Sequence, residues 1–251
     1  MTIQNISIHQ RNILQQLMSP RLQIHGLLFL QSVMLIVFSV NRLSSLTAFP
    51  VNNNPFIRWT EIINLLVIPP VEILIFYFLM RVLGGKDGIA NLSLNIVFLL
   101  GVYLLGASYG NHETTNYLNN SFCFPNEVGS ELCKAIEYHD NLFSHWLFFT
   151  GFVFLNGSLI CLQWLSNVAI ALSKRDLLLL AINGVILATG IFFNLIFQTA
   201  GPDIIVIVLL ALLSYYIWLK SGTKPLTIYY LVAFGVGAFS YFGFQVYKLI
   251  N

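Results

Sequence analysis

The chain has 251 residues, 57% hydrophobic and 9% charged, with a formal net charge of +2 and a mean hydropathy of +0.78. This composition excludes a soluble globular domain, and so few charges leave no basic stripe for nucleic acid. What it predicts is an all-α, polytopic membrane protein.

Residues 1–22 are polar, with Gln4, Asn5, His9, Gln10 and Arg11. They read as a short N-terminal tail, and no cleavable signal peptide is expected. Residues 23–251 then hold seven apolar runs, at Ile24–Val40, Ile62–Met80, Leu92–Gly110, Leu142–Leu172, Leu177–Gln198, Asp203–Leu219 and Thr227–Leu249. About 20 apolar residues at 1.5 Å rise cross the hydrocarbon core, so each run predicts a transmembrane helix of one bundle. The fifth helix opens on Ser173-Lys-Arg-Asp176, a capping-box pattern. Gly201-Pro202-Asp203 and Ser221-Gly-Thr-Lys-Pro225 mark tight links between antiparallel neighbours.

Orientation follows the basic residues. One side carries Arg11, Arg21, Arg81, Lys86, Lys174, Arg175, Lys220 and Lys224; the other has Arg42, Arg58, Lys134 and Lys248. The expectation is N-terminus inside and C-terminus outside, with a long outer loop at about residues 113–139. Cys123 and Cys133 both fall in that loop, on the oxidising side, where a disulfide is expected.

Ionisable residues gather at the same side: His112, Glu113, His139, Asp140 and His145. Ser108, His112 and Asn116 are spaced by four and share a helix face, as do Asn141 and His145. Asp140 converges on His145 if it sits at or before the fourth helix's N-cap. Two imidazoles and a carboxylate, His112, His145 and Asp140, form a ligand set for a divalent metal, zinc first, with an open position for water. Glu113 or His139 then serves as base or orienter, and Ser108 steadies a bound water or oxyanion. The competing structural reading takes His145-Trp146 as interface anchors and Asp140 as a helix cap.

Within the second run, Glu72 lies near mid-depth after Pro69-Pro70, with Asn64 two turns earlier. It reads as a hydrogen-bonded structural carboxyl, or as a proton relay or pocket wall. Asn194 and Gln198, four apart on the fifth helix, face the same cavity or tie helices together.

Seven helices, Ser108-x3-His112 and a helix-start Asp140 resemble the superfamily of alkaline ceramidases and progestin/adiponectin receptors. The resemblance covers about forty residues. It implies a zinc site built from a Ser, an Asp and three His, and hydrolysis of lipid amides. The family's last helix carries His-x3-His, whereas Leu226–Ile250 has no histidine here, so His145 would replace at least one ligand.

Three functions follow as expectations. The first is a metal-dependent enzyme, a hydrolase acting on a membrane lipid or other apolar substrate at the outer interface. The second is a receptor or proton-coupled transporter in which Glu72 and Asp140 titrate. The third is a haem-binding redox protein with His112 and His145 as axial ligands. No sequence feature specifies an oligomeric state.

Overall fold

Ser19 accepts a hydrogen bond from the Leu22 amide, and Pro20 occupies the first turn, where a missing N–H costs nothing. Helix α1, Pro20–Leu43, starts there. The computed structural model describes residues 19–52, 54–83, 89–123, 129–166, 170–197 and 202–250. After α1 comes a small antiparallel ribbon of β1, Pro50–Val51, and β2, Asn54–Arg58. Asn52 has φ 49° in its turn, a conformation that Asn tolerates better than most residues. Apart from this short ribbon the described elements are helical, as the all-α expectation has it.

Helices α2, Trp59–Leu66, and α3, Ile68–Leu83, together make the second span. They break at Val67 because Pro69 and Pro70 cannot donate back to the preceding turn. Both prolines fall instead in the first turn of α3, where the missing donors are tolerated.

Helix α4, Ile89–Leu118, runs on into a π-helical turn at Asn119–Cys123. Helix α5, Glu131–Tyr138, joins α6, Ser144–Leu165, through a second π turn at His139–Phe143. Helix α7 is Lys174–Phe197, α8 is Pro202–Ser221 and α9 is Pro225–Ile250. The expected capping box forms: the Ser173 amide donates to Asp176 Oδ2 at 2.6 Å, and the Asp176 amide to Ser173 Oγ at 3.3 Å. Gly222, at φ 72°, turns the chain between α8 and α9.

Among the described residues, seven helical stretches are long and apolar enough to cross a membrane. All seven apolar runs are therefore helical over most of their length, but the fourth, expected to reach Leu172, leaves the helix after Leu165, and residues 170–172 are not helical. Two further boundaries are corrected. The third stretch continues to Cys123 and the fourth begins at Glu131, so most of the expected loop at 113–139 is helix. Polarity ended the apolar runs, but a helix satisfies its own backbone and can continue past that point.

Spans pack in pairs: α4 on α6, α9 on α7 and α8, and α1 on α3 and α7. Tyr229, Tyr230, Ala233 and Phe234 of α9 are fully buried among them. Where α4 crosses α6, Gly101 meets Gly151. A Cβ on Gly101 would lie 2.8 Å from Leu155 N and 2.9 Å from Gly151 O, so only glycine permits this approach. The outward faces carry Phe29, Leu99, Leu209 and Phe239, all exposed.

Candidate functional site

The last turn of α1 carries Asn41 and Arg42, at the end of the bundle that also holds the disulfide. Arg42 Nη1 donates to Glu113 Oε1 at 3.0 Å, and Arg42 Nη2 reaches His112 Nε2 at 2.6 Å. A guanidinium has donors only, so Nε2 accepts and the ring proton sits on Nδ1. That nitrogen lies 2.8 Å from Asp140 Oδ1 and 3.2 Å from the Asp140 carbonyl oxygen. His112 is thus held between a guanidinium on one side and a carboxylate on the other.

The second oxygen of Glu113 accepts from Asn64 Nδ2 at 3.0 Å, and Asn64 Oδ1 accepts from Asn41 at 2.7 Å. Thr47 donates to Asn41 Oδ1 at 2.6 Å, and Thr115 donates to Asp140 Oδ1 at 3.3 Å. Glu113 and Asp140 are only 2% and 4% exposed. A carboxylate so buried requires partners of this kind. The network ties the first four spans together at one end.

Asp140 does not cap the fourth helix, contrary to the sequence expectation. It lies inside a continuous helical rod, within the His139–Phe143 π turn. One extra residue in that turn rotates the preceding segment so that Asp140 faces His112. Ser144 and Asn111 hold the turn: Asn111 donates to the His139 carbonyl at 2.9 Å and to Ser144 Oγ at 2.8 Å, and Ser144 Oγ donates to the His139 carbonyl.

The His145 and His112 rings meet edge to face, with centroids 5.4 Å apart. His145 is 9% exposed, and its Nδ1 is buried without a hydrogen-bond partner. Ser108 is spent structurally, donating to the Ser144 carbonyl at 2.8 Å. Asn116 accepts from Asn120 one turn further on, at 2.8 Å. His139 is exposed, with its ring between Tyr138 and Phe143.

Glu72 stands apart from the ion pairs. Its Oε2 accepts from Tyr109 Oη at 2.8 Å, and the Tyr109 ring packs edge-on against Phe38 and Phe148. Asn64 therefore faces Glu113 rather than Glu72. Asn194 donates to Asp203 Oδ2 at 3.4 Å, between α7 and α8, which leaves it outside the cluster; Gln198 lies outside the described residues. The Cys123–Cys133 disulfide forms, with Cα atoms 5.5 Å apart, and fastens the end of the third span to α5.

The expected metal ligands His112, Asp140 and His145 do come together, but they do not fit a resident cation as arranged. Both nitrogens of His112 are engaged, and a guanidinium lies where a divalent ion would approach. Among the described residues, no group of three or more His, Cys, Asp or Glu side chains is placed to hold a metal ion.

Arg42 and Tyr109 are the residues that sequence reasoning missed. An Arg in a helix's last turn is ordinary for helix-dipole reasons, which hides its use as an ion-pair partner. Just outside the network, Glu61 accepts from Arg58, raising the Arg58 pKa further, and Arg58 covers the Tyr117 ring at 5.4 Å. Comparison with protein families, curated proteins and solved structures finds no match for the chain.

Proposed function

We propose that this is a multi-pass membrane protein of the proton-coupled transporter class, with its N-terminus inside and the ion-pair network at the outer end. Eight of the twelve Lys and Arg residues lie on the proposed inner side, and the disulfide lies at the opposite end. The observation that carries the reading is His112 held between Arg42 and Asp140. A proton arriving at Nε2 removes the acceptor that holds Arg42 and sets two cations face to face. At about 4 Å and an effective dielectric near 20, that repulsion is about 4 kcal/mol. With the hydrogen bond to Nε2 gone as well, Arg42 loses its contact with His112 in this reading and keeps the one with Glu113.

Span 1 would then be held at this end through Glu113 and Asn41. The groups facing His112 are Arg42 from α1, Glu113 and Thr115 from α4, Asp140 from the π turn and His145 from α6. Glu72, bonded to Tyr109 one helical turn before His112, is the mid-depth acceptor for a relay.

The test uses purified protein in liposomes containing a pH-sensitive dye and driven by a potassium diffusion potential. Wild type should acidify the lumen, Asp140→Asn should abolish the signal and Glu72→Gln should lower it. Equal signals from wild type and Asp140→Asn would refute the reading. The metal-dependent hydrolase keeps one observation in its favour, the convergence of His112, Asp140 and His145; stoichiometric zinc lost on His145→Ala would restore it.

A further inference from the structure

We propose that a groove between α1 and α3, at the end of the bundle opposite the ion-pair network, seats one anionic phospholipid. The groove has a volume of about 590 Å³ and is lined by Gln23, Gly26, Leu27 and Leu30 of α1 and by Phe78, Arg81 and Val82 of α3. Its walls sort by depth. Arg81 and Gln23 lie toward the helix ends, while Leu27, Leu30 and Phe78 run toward the middle of both spans. An amphiphile with an anionic head and an apolar tail matches that order.

Arg81 is exposed and makes no ion pair or hydrogen bond with any of the described residues. At the same end of the bundle, Arg21 is committed to Asp176 at 2.7 Å, and Lys224 donates to the Gln163 carbonyl at 2.9 Å. Arg81 thus brings to the groove mouth a guanidinium with no ion-pair partner among the described residues, with a fork geometry suited to a phosphate diester. Gly26 supplies no side chain there, and its Cβ position is open space, with nothing within 4 Å. A groove open sideways on an apolar surface is reached from the bilayer. The lipid headgroup is therefore the phosphate source to which the geometry commits.

This inference rests on the membrane reading but not on proton coupling. It is tested with the full chain in nanodiscs of phosphatidylcholine and phosphatidylglycerol, counting lipids retained after detergent release by native mass spectrometry. Wild type should retain one phosphatidylglycerol in about fivefold preference to phosphatidylcholine, the ratio that one basic residue near a lipid surface gives. Arg81→Gln should bring the ratio close to one, Arg81→Lys should keep most of the preference, and Leu30→Trp should expel both lipids. Arg81 and Leu30 are exposed, so these variants leave the core intact.

An unchanged ratio in Arg81→Gln, or retention unaffected by Leu30→Trp, would make the groove ordinary annular surface and overturn the proposal. Nanodisc insertion is scored separately by protection of the spans from protease. Failure to insert would sink the membrane reading, whereas insertion without lipid preference would sink only the lipid site.

Discussion

Asp140 Oδ1 lies 2.8 Å from His112 Nδ1, and the π turn at His139–Phe143 is what aims it there. Deleting Leu142, which is exposed, should convert that turn to regular α-helix. Everything before it would rotate by about 100° relative to α6, carrying Asp140 away from His112 and Cys133 away from Cys123. The expected outcome is loss of the disulfide, read by thiol alkylation without reductant, together with a proton signal as low as that of Asp140→Asn. A deletion variant that keeps both would mean that the turn is only a tolerated kink.

Glu113 and Arg42 form a pair in which one partner is deeply buried and the other is 30% exposed at its side chain. Removing only the cation strands a desolvated carboxylate. Arg42→Met should therefore cost about 3 kcal/mol, toward the lower end of the range for a broken buried pair because Arg42 is partly hydrated. The double variant Arg42→Met, Glu113→Leu should recover most of that loss, since it removes both charges and leaves apolar volume. Thermal melting in one detergent checks this, and equal losses in the single and double variants would show that the pair is not coupled.

The seven long helices were legible in the sequence because each follows an apolar run of the length a membrane crossing needs. Ser173, Asp176, Pro202, Gly222 and Pro225 marked helix ends through local chemistry, and all of them function as read. The site was legible only as a neighbourhood. His112, Asp140 and His145 were brought together as expected, but Asp140 arrived through a π turn, which has no sequence signature comparable to a cap. Arg42 was invisible because its partners are 70 and 71 residues away. Only the packing of α1 on the rest of the bundle brings them together, and a single sequence carries no record of that register.

The Cys123–Cys133 bridge closes a sequence separation of 10 residues. By the chain-entropy relation, that closure contributes roughly 2–3 kcal/mol. Cys123→Ser should lower the melting temperature and open the helix ends around Asn119–Cys123 and Glu131–Tyr138 to hydrogen exchange. The free Cys161 lies far along α6 and should be the sole site alkylated in the denatured, unreduced wild-type protein. Two further labels on that sample would show that the bridge is absent.

Gly101 and Gly151 decide how closely α4 and α6 can pack, and this crossing sets the distance from His112 to His145 further along the same two helices. A methyl on Gly101 meets backbone atoms of α6 at 2.8 and 2.9 Å, and backbone cannot move aside as a side-chain tip can. Gly101→Ala should thus force the helices apart and cost about 2 kcal/mol. Gly106→Ala is the matched control on the same helix. Its Cβ meets nothing within 4 Å, so it should be neutral or stabilise by up to about 1 kcal/mol through helix propensity. If both variants melt alike, the crossing has slack, and the His112–His145 spacing must then be set by the hydrogen bonds of Ser108 and Asn111 to Ser144 instead.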